Sequence, residues 1–359
     1  MEQKIAIIKK YYDNSKITFE YKKYDENEIN ILYEIFINNK VPSNLDNPDI
    51  LCNLGIYYYI QKDFETMKKY YIMAIEKGNF RAIYNLGNYY EGLKDFKNMK
   101  RYYSMVIEKY AYNGKYDKDK DHLLDAMNKL GIYYHIQKDF KNMKKYYLMA
   151  IDKGFSSAMY NLGYYYCNQN DFENMKKYYL MAIDANNSNA MYNLGNYYKT
   201  KKDYDNMKKY YLMAVNKDHV DAMCNLGNYY KKQQDYENMK KYYLMAIDKG
   251  DSHAMNNFGS YYEKQTELEN MKKYYLMAIK YGNAKSFKHL KNFYLDYSRY
   301  TDLLDLIKIY GDKFETNNEV LKQYKLFRES YCHQYAKIRV IMKYIYIDDI
   351  LSIIDDYLF

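Results

Sequence analysis

The chain has 359 residues, a formal net charge of +9, 54 tyrosines and 21 methionines, but only 2 prolines and no tryptophan. Its four cysteines, Cys52, Cys167, Cys224 and Cys332, are far apart and form no C-x-x-C pair, which signals neither a disulfide framework nor a zinc site and fits a reducing compartment. The lysine-bearing N-terminus has no signal-peptide cleavage pattern and the apolar tail is interrupted by charges, so no membrane span and a cytoplasmic location are expected.

The first segment, residues 1–47, reads as a helical cap. Ile29, Leu32, Ile35 and Phe36 fall at helical steps between Glu28 and Asn38. The stretch from Asn39 to Pro48 carries both prolines and leads into the repeats.

From residue 48 to 310 the chain copies one unit seven times and then an eighth time in degenerate form. Glycines at 55, 87, 131, 163, 195, 227 and 259 mark the register, each 32 residues after the last except 131, which follows 87 by 32 plus an insert of 12. A fixed period of this size predicts a helical solenoid, because each unit has too little apolar surface to fold alone and must shelter against its neighbours. An array of this kind grows lengthwise and needs no division of its core.

Each copy reads as two helices. Between Asp221 and Gly250, Ala222, Leu226 and Tyr229 give the i, i+4, i+7 spacing of a helix A, and Tyr236, Met239, Tyr243 and Ala246 give a helix B. Asp235 stands where its carboxylate caps helix B, with counterparts Asp63, Asp95, Asp139, Asp171, Asp203 and Glu267. Gly78, Gly154, Gly250 and Gly282 follow helix B where a left-handed residue closes a helix, replaced by Asn186 and Asp218 in two copies. A glycine inside helix A costs about 1 kcal/mol relative to alanine. Its return in seven copies predicts that a neighbouring Tyr or Met from helix B packs over the missing side chain.

The insert, 111–122, contains Asn113-Gly114 and the run from Asp117 to Asp121, which predicts a turn and a solvated loop. After the seventh copy, Leu290, Phe293, Tyr294 and Leu303 keep the spacing while Lys291 replaces the glycine. Residues 311–359 read as an amphipathic helical cap.

The pattern A-M-Y-N-L-G-x-Y-Y, a short turn, then D-x-x-x-M-K-K-Y-Y-x-M-A-I-x-x-G resembles the Sel-one-like repeat of the tetratricopeptide-like helical families, most clearly at residues 158 to 163. The resemblance implies an all-α, right-handed α-solenoid of antiparallel helix pairs that serves as an adaptor or scaffold, without catalysis and without a cofactor. Two features depart from the family: the turn between helices is only a few polar residues, such as Lys201-Lys202, and a family tryptophan in helix B is replaced by tyrosine, as at Tyr210. The bias toward Asn, Lys, Ile and Tyr also resembles that of repeat proteins encoded by large DNA viruses of amoebae.

Two ladders are candidates for binding. Asn53, Asn85, Asn161, Asn193, Asn225 and Asn257 each precede the Leu-Gly or Phe-Gly of helix A, with Lys129 as the exception. Asparagine is a mediocre helix former. Its repetition suggests amides lining a concave groove that holds a protein or peptide, or amides bonded within the stack. The second ladder, Lys68, Lys100, Lys144, Lys176, Lys208, Lys240 and Lys272, would offer single-stranded nucleic acid a basic face with interleaved tyrosines. Acids four residues before the following base, such as Glu65 before Lys69, favour a solvated, ion-paired face instead. The six histidines form no H-E-x-x-H or comparable signature and no phosphate loop is present, so neither an enzyme nor a metal site is expected.

Overall fold

The computed structural model describes residues 1–13, 24–42, 45–113 and 120–297 and isolated positions between 302 and 313. Among the described residues every regular element is a helix. The chain is an all-α repeat solenoid of helices packed in adjacent pairs. Ahead of the repeats stand α1 (Glu2–Asp13) and α2 (Glu26–Asn38). The A helices are α3 (Pro48–Ile60), α5 (Phe80–Gly92), α7 (Lys120–Ile136), α9 (Ser156–Asn168), α11 (Ser188–Thr200), α13 (Val220–Lys232) and α15 (Ser252–Lys264). The B helices are α4 (Phe64–Glu76), α6 (Phe96–Asn113), α8 (Phe140–Ile151), α10 (Phe172–Asp184), α12 (Tyr204–Val215), α14 (Tyr236–Asp248) and α16 (Leu268–Lys280), and α17 (Ala284–Asp296) is the A helix of the degenerate eighth copy. The chain divides into two units, Met1–Leu194 and Gly195–Phe359, with the division inside α11.

The B helices start where the aspartates place them. Asp139, Asp171, Asp203 and Asp235 each accept a hydrogen bond from the backbone N–H three residues on, at 3.1 Å. That third residue is an asparagine, and its amide returns a bond to the other carboxylate oxygen at 2.6 to 2.7 Å. Glu267, one carbon longer, makes no such backbone cap and accepts instead from the Asn270 amide, at 2.8 Å. Helix B closes on left-handed residues as the sequence predicts: Gly78, Gly154, Gly250 and Gly282 have φ between 86° and 90°, and Asn186 and Asp218 have 61° and 59°. A second left-handed position follows each A helix from α3 to α15, where Lys62, Lys94, Lys138, Asn170, Lys202, Gln234 and Thr266 have φ of 57° to 63°. None of these is a glycine, so the sequence gives no sign of them.

The helix A glycine is covered by one residue type. A Cβ at Gly195 would stand 2.6 Å from Cδ1 of Tyr211, and those at Gly55, Gly87, Gly131, Gly163, Gly227 and Gly259 would meet Tyr71, Tyr103, Tyr147, Tyr179, Tyr243 and Tyr275 at 2.3 to 2.6 Å. Tyr103, Tyr147, Tyr179, Tyr211, Tyr243 and Tyr275 are among the largest fully buried side chains, with Met99, Met143, Met175, Met207, Met239 and Met271 buried one turn earlier. Burying a large apolar side chain stabilises by about 1.5–3 kcal/mol. The repeat core is therefore a tyrosine ring laid on a bare stretch of helix. A second tyrosine pair stacks in every repeat, as Tyr198 on Tyr210 with centroids 5.5 Å apart and planes 4° from parallel.

The two ends of the insert depart from the expected loop. Helix α6 continues through Asn113 and α7 begins at Lys120, so both flanks of 111–122 are helical and only 114–119 lie outside the described residues. Tyr110 meets the edge of Phe80, the Lys153 ammonium lies over the Tyr110 ring, and Leu123 and Leu124 are buried. Apolar contacts carry the helices into 111–113 and 120–122, the two ends of the expected loop. Apart from Lys313, the cap expected over 311–359 lies outside the described residues, as does Leu303 of the eighth copy.

Candidate functional site

With glycine as zero, helix A is nearly invariant at −5, −4, −1, +2 and +3, which are mostly Ala, Met, Leu, Tyr and Tyr. The copies differ at −6, −3, +1 and +4. Position −3 reads Cys52, Tyr84, Asn128, Tyr160, Tyr192, Cys224 and Asn256; position +4 reads Tyr59, Glu91, His135, Cys167, Lys199, Lys231 and Glu263. Steps of three and four residues put these positions on one side of the helix. Each unit carries its own such face.

The buried tyrosines reach this face with their hydroxyls. In the second unit Tyr243 donates to Asn228 at 2.8 Å and Tyr275 to Glu263 at 2.6 Å. In the first, the Tyr103 hydroxyl lies 2.7 Å from Asn88 and 2.9 Å from Glu91. Burial pushes the phenol groups of Tyr179, Tyr243 and Tyr275 well above the usual tyrosine value, so they stay protonated donors.

The six asparagines bond into the stack, Asn193 and Asn225 to these hydroxyls. Asn193 donates to the Tyr160 and Tyr179 hydroxyls at 3.2 and 3.3 Å, Asn225 to Tyr211 at 3.4 Å, Asn161 to Asn128 at 2.8 Å and Asn257 to Asn228 at 3.0 Å. Asn85 approaches the Cys52 sulfur at 3.8 Å. Asn53 is fully buried, donating to Tyr24 and accepting from Arg81 at 2.8 Å, and so lies out of reach of a partner. The other five are half-buried. Lys129, which takes the asparagine place in the third copy, reaches back to Asn88 at 3.0 Å and to Glu91, with Asp125 at 3.8 Å. Asp125 in turn accepts from the Tyr84 hydroxyl. The variable positions of successive A helices are thus joined through the residue at −2.

Ionisation differs between the faces of the two units. The first carries the Lys129–Glu91 pair. In the second, burial and the neighbouring Lys264 pull the Lys231 ammonium below the usual lysine value. Burial first, then Asp251, push the Cys224 thiol up to about 12, which leaves it an unreactive packing group.

Four stretches, residues 80–108, 156–189, 188–216 and 220–248, match the sequence model of the tetratricopeptide repeat. Those four stretches are similar to tetratricopeptide repeats. No curated protein matches it. Among solved structures, it is similar to a protective antigen of uropathogenic Escherichia coli with an SLR fold, at 16% identity over 96% of this chain and 87% of that one, with a TM-score of 0.44. It is also similar to a Sel1 repeat protein from Oxalobacter formigenes, at 22% identity over 54% and 88% with a TM-score of 0.42, and to Pseudomonas aeruginosa pilF, at 18% over 61% and 99% with a TM-score of 0.42.

The lysine ladder lies on the B helices and is largely engaged. Lys68 pairs with Glu65 at 2.7 Å, Lys208 with Asp205 at 3.1 Å and Lys272 with Asp302 at 3.0 Å. Lys144 and Lys240 lie over the rings of Tyr165 and Tyr261 in the next repeat, at 5.3 and 5.8 Å. The expected i, i+4 pairing to the following base is replaced at Glu65 and Asp205 by i, i+3 pairing to the ladder lysine itself. The following base instead settles on its neighbouring tyrosine, as Lys209 does on Tyr210 at 5.3 Å, because that ring is fixed by its stack. Lys100 is exposed. Among the described residues no cluster of three His, Cys, Asp or Glu side chains is arranged to hold a metal ion, and no helix is long and apolar enough to cross a membrane.

Proposed function

We propose that this chain is a non-catalytic scaffold of Sel1-like type that holds an extended protein or peptide segment along the variable face of its A helices. One observation carries the reading: repeats copied almost residue for residue differ where −6, −3, +1 and +4 line one side of helix A. Packing holds Gly, Leu and the paired tyrosines fixed and leaves those positions free to be shaped by a partner. The half-buried asparagines at −2, Asn85, Asn161, Asn193, Asn225 and Asn257, take part by positioning the hydroxyls and amides beside them.

The test is selection of binders from a random peptide library with the full chain, followed by affinity measurements on two sets of variants. Asn228→Ala with Lys231→Glu alters the A face, and Lys209→Glu with Lys241→Glu alters the B face. The reading expects selected peptides to lose at least tenfold affinity with the first pair and little with the second. Failure of any peptide to bind, or equal losses from both pairs, would overturn it. Nucleic acid along the B face predicts the reverse ranking and a steep fall of oligonucleotide affinity with salt.

A further inference from the structure

We propose that the outer face of the B helices in the first unit is a self-association surface that pairs this chain with a second copy of itself. Independently of the A-face reading, it rests on one exposed apolar side chain that recurs at the same place in the B helices. Leu148 in α8 and Leu180 in α10 are 40% and 43% exposed, and Ile72 in α4 is 45% exposed. The repeat core does not use these side chains, and seven near-copies retain an apolar residue there in all but one case, Ser104.

The charges around the leucine identify the occupant. Three residues before it stands a lysine and four residues after it an acid: Lys145 and Asp152 around Leu148, Lys177 and Asp184 around Leu180, Lys69 and Glu76 around Ile72. All six charged residues are exposed. Lysine and acid are seven residues apart and so flank the leucine on the same side, roughly 10.5 Å from each other at the helical rise of 1.5 Å per residue. That is too far for them to pair within one helix, and among the described residues none of Lys145, Lys177, Asp152 and Asp184 has an ion-pair partner.

A second copy solves this by symmetry. If a two-fold axis lies in the interface, perpendicular to the B helix and over the leucine, the partner helix runs antiparallel and leucine meets leucine. The lysine then sits about 4.5 Å along the axis on one side and the partner's acid about 6 Å along on that same side, so each lysine faces a carboxylate of the other copy. The motif is self-complementary because of the order base, leucine, acid. An acid at both ends would repel a copy of itself. The same triplet occurs within the second unit as Lys241, Leu244 and Asp248, with Leu244 41% exposed.

Sedimentation velocity of the full chain over a concentration series at physiological salt tests this. The parent is expected to shift from monomer toward dimer as concentration rises, and Leu148→Asp with Leu180→Asp to remain monomeric throughout. Lys145→Glu with Lys177→Glu should weaken the dimer at least tenfold, and adding Asp152→Lys with Asp184→Lys to that variant should restore it. The rescue is the decisive arm, since a variant that merely misfolds is not repaired by two further exposed substitutions. A parent that stays monomeric at every concentration, a dimer indifferent to the leucine variants, or absence of rescue overturns the proposal. So does a monomeric chain that floats with anionic phospholipid vesicles, which would make the face a membrane surface.

Discussion

Replacing Gly195 by alanine is the sharpest probe of how these repeats hold together. The added Cβ would lie 2.6 Å from Cδ1 and 2.7 Å from Cε1 of Tyr211, well inside the 3.4–4 Å of ordinary contact. Tyr211 is fully buried and its hydroxyl is tied to Asn196, so the ring cannot step aside without opening the pair. Overpacking of this kind costs about 1–3 kcal/mol. The better helix propensity of alanine returns about 1 kcal/mol. Steric cost wins, with a net loss centred near 1 kcal/mol for alanine. Gly195→Leu, with three more carbons in the same space, should loosen the array more. Gly92 is the internal control, since a Cβ there meets nothing within 4 Å and Gly92→Ala should stabilise. Urea unfolding of the three variants, with hydrogen exchange read over α12 and α13, measures the ordering. If Gly195→Ala is as stable as Gly92→Ala, or Gly195→Leu leaves the melting curve and protease resistance unchanged, tyrosine-on-glycine packing is not what joins the helices.

Three further outcomes follow from the same geometry. Lys202 holds φ of 58° at the end of α11, where an L side chain costs about 1–2 kcal/mol, so Lys202→Gly should raise the thermal midpoint; a fall would mean that the lysine side chain contributes more than its strain costs. The side-chain bonds from Asn98, Asn142, Asn174, Asn206 and Asn238, and that from Thr66, hold the capping aspartates below the usual carboxylate value. A depressed folded value means that their stabilisation is present above the unfolded pKa of about 3.9 and is lost as pH falls through the folded value, so melting temperature should drop only in that acid range and the drop should shrink when the asparagines become alanine; an equal drop would refute the linkage. Asn193→Ala removes donors to Tyr160 and Tyr179 and should cost about 0.5–1.5 kcal/mol, whereas unaltered stability would leave this amide free to serve a partner alone.

Much of this was legible in the sequence because the repeat states its own rules seven times. The glycine period set the pairs, and the aspartates and C-terminal glycines set their ends. The seven left-handed residues closing the A helices were not legible, since Lys62 or Gln234 carries no local mark of positive φ and the conformation follows from the abrupt turn into a capped helix B. The helical ends of the insert, 111–113 and 120–122, were hidden for a similar reason: the Asn-Gly dipeptide and alternating charge argue for a loop locally, while packing of Tyr110 and Leu123 beside them holds those ends in helix. The asparagine ladder was visible as a pattern but not as a set of bonds, because the hydroxyls it meets come from tyrosines about one helix or one repeat away.

That last point explains why one face of helix A can diverge without loss of the fold. The tyrosine ring supplies apolar burial to its own glycine, while its hydroxyl is satisfied by whatever polar group stands at +1, at +4 or at −2 of the next copy: Asn196 for Tyr211, Asn228 for Tyr243, Glu263 for Tyr275 and Asn193 for Tyr179. A hydroxyl both donates and accepts, so carboxylate, amide oxygen and amide N–H all serve. Stability therefore constrains the polarity of these positions loosely and their identity hardly at all. Such positions can change charge from Glu91 to Lys199 while every buried hydroxyl described above keeps a polar neighbour, and this is the freedom a recognition surface needs in a stack whose core cannot vary.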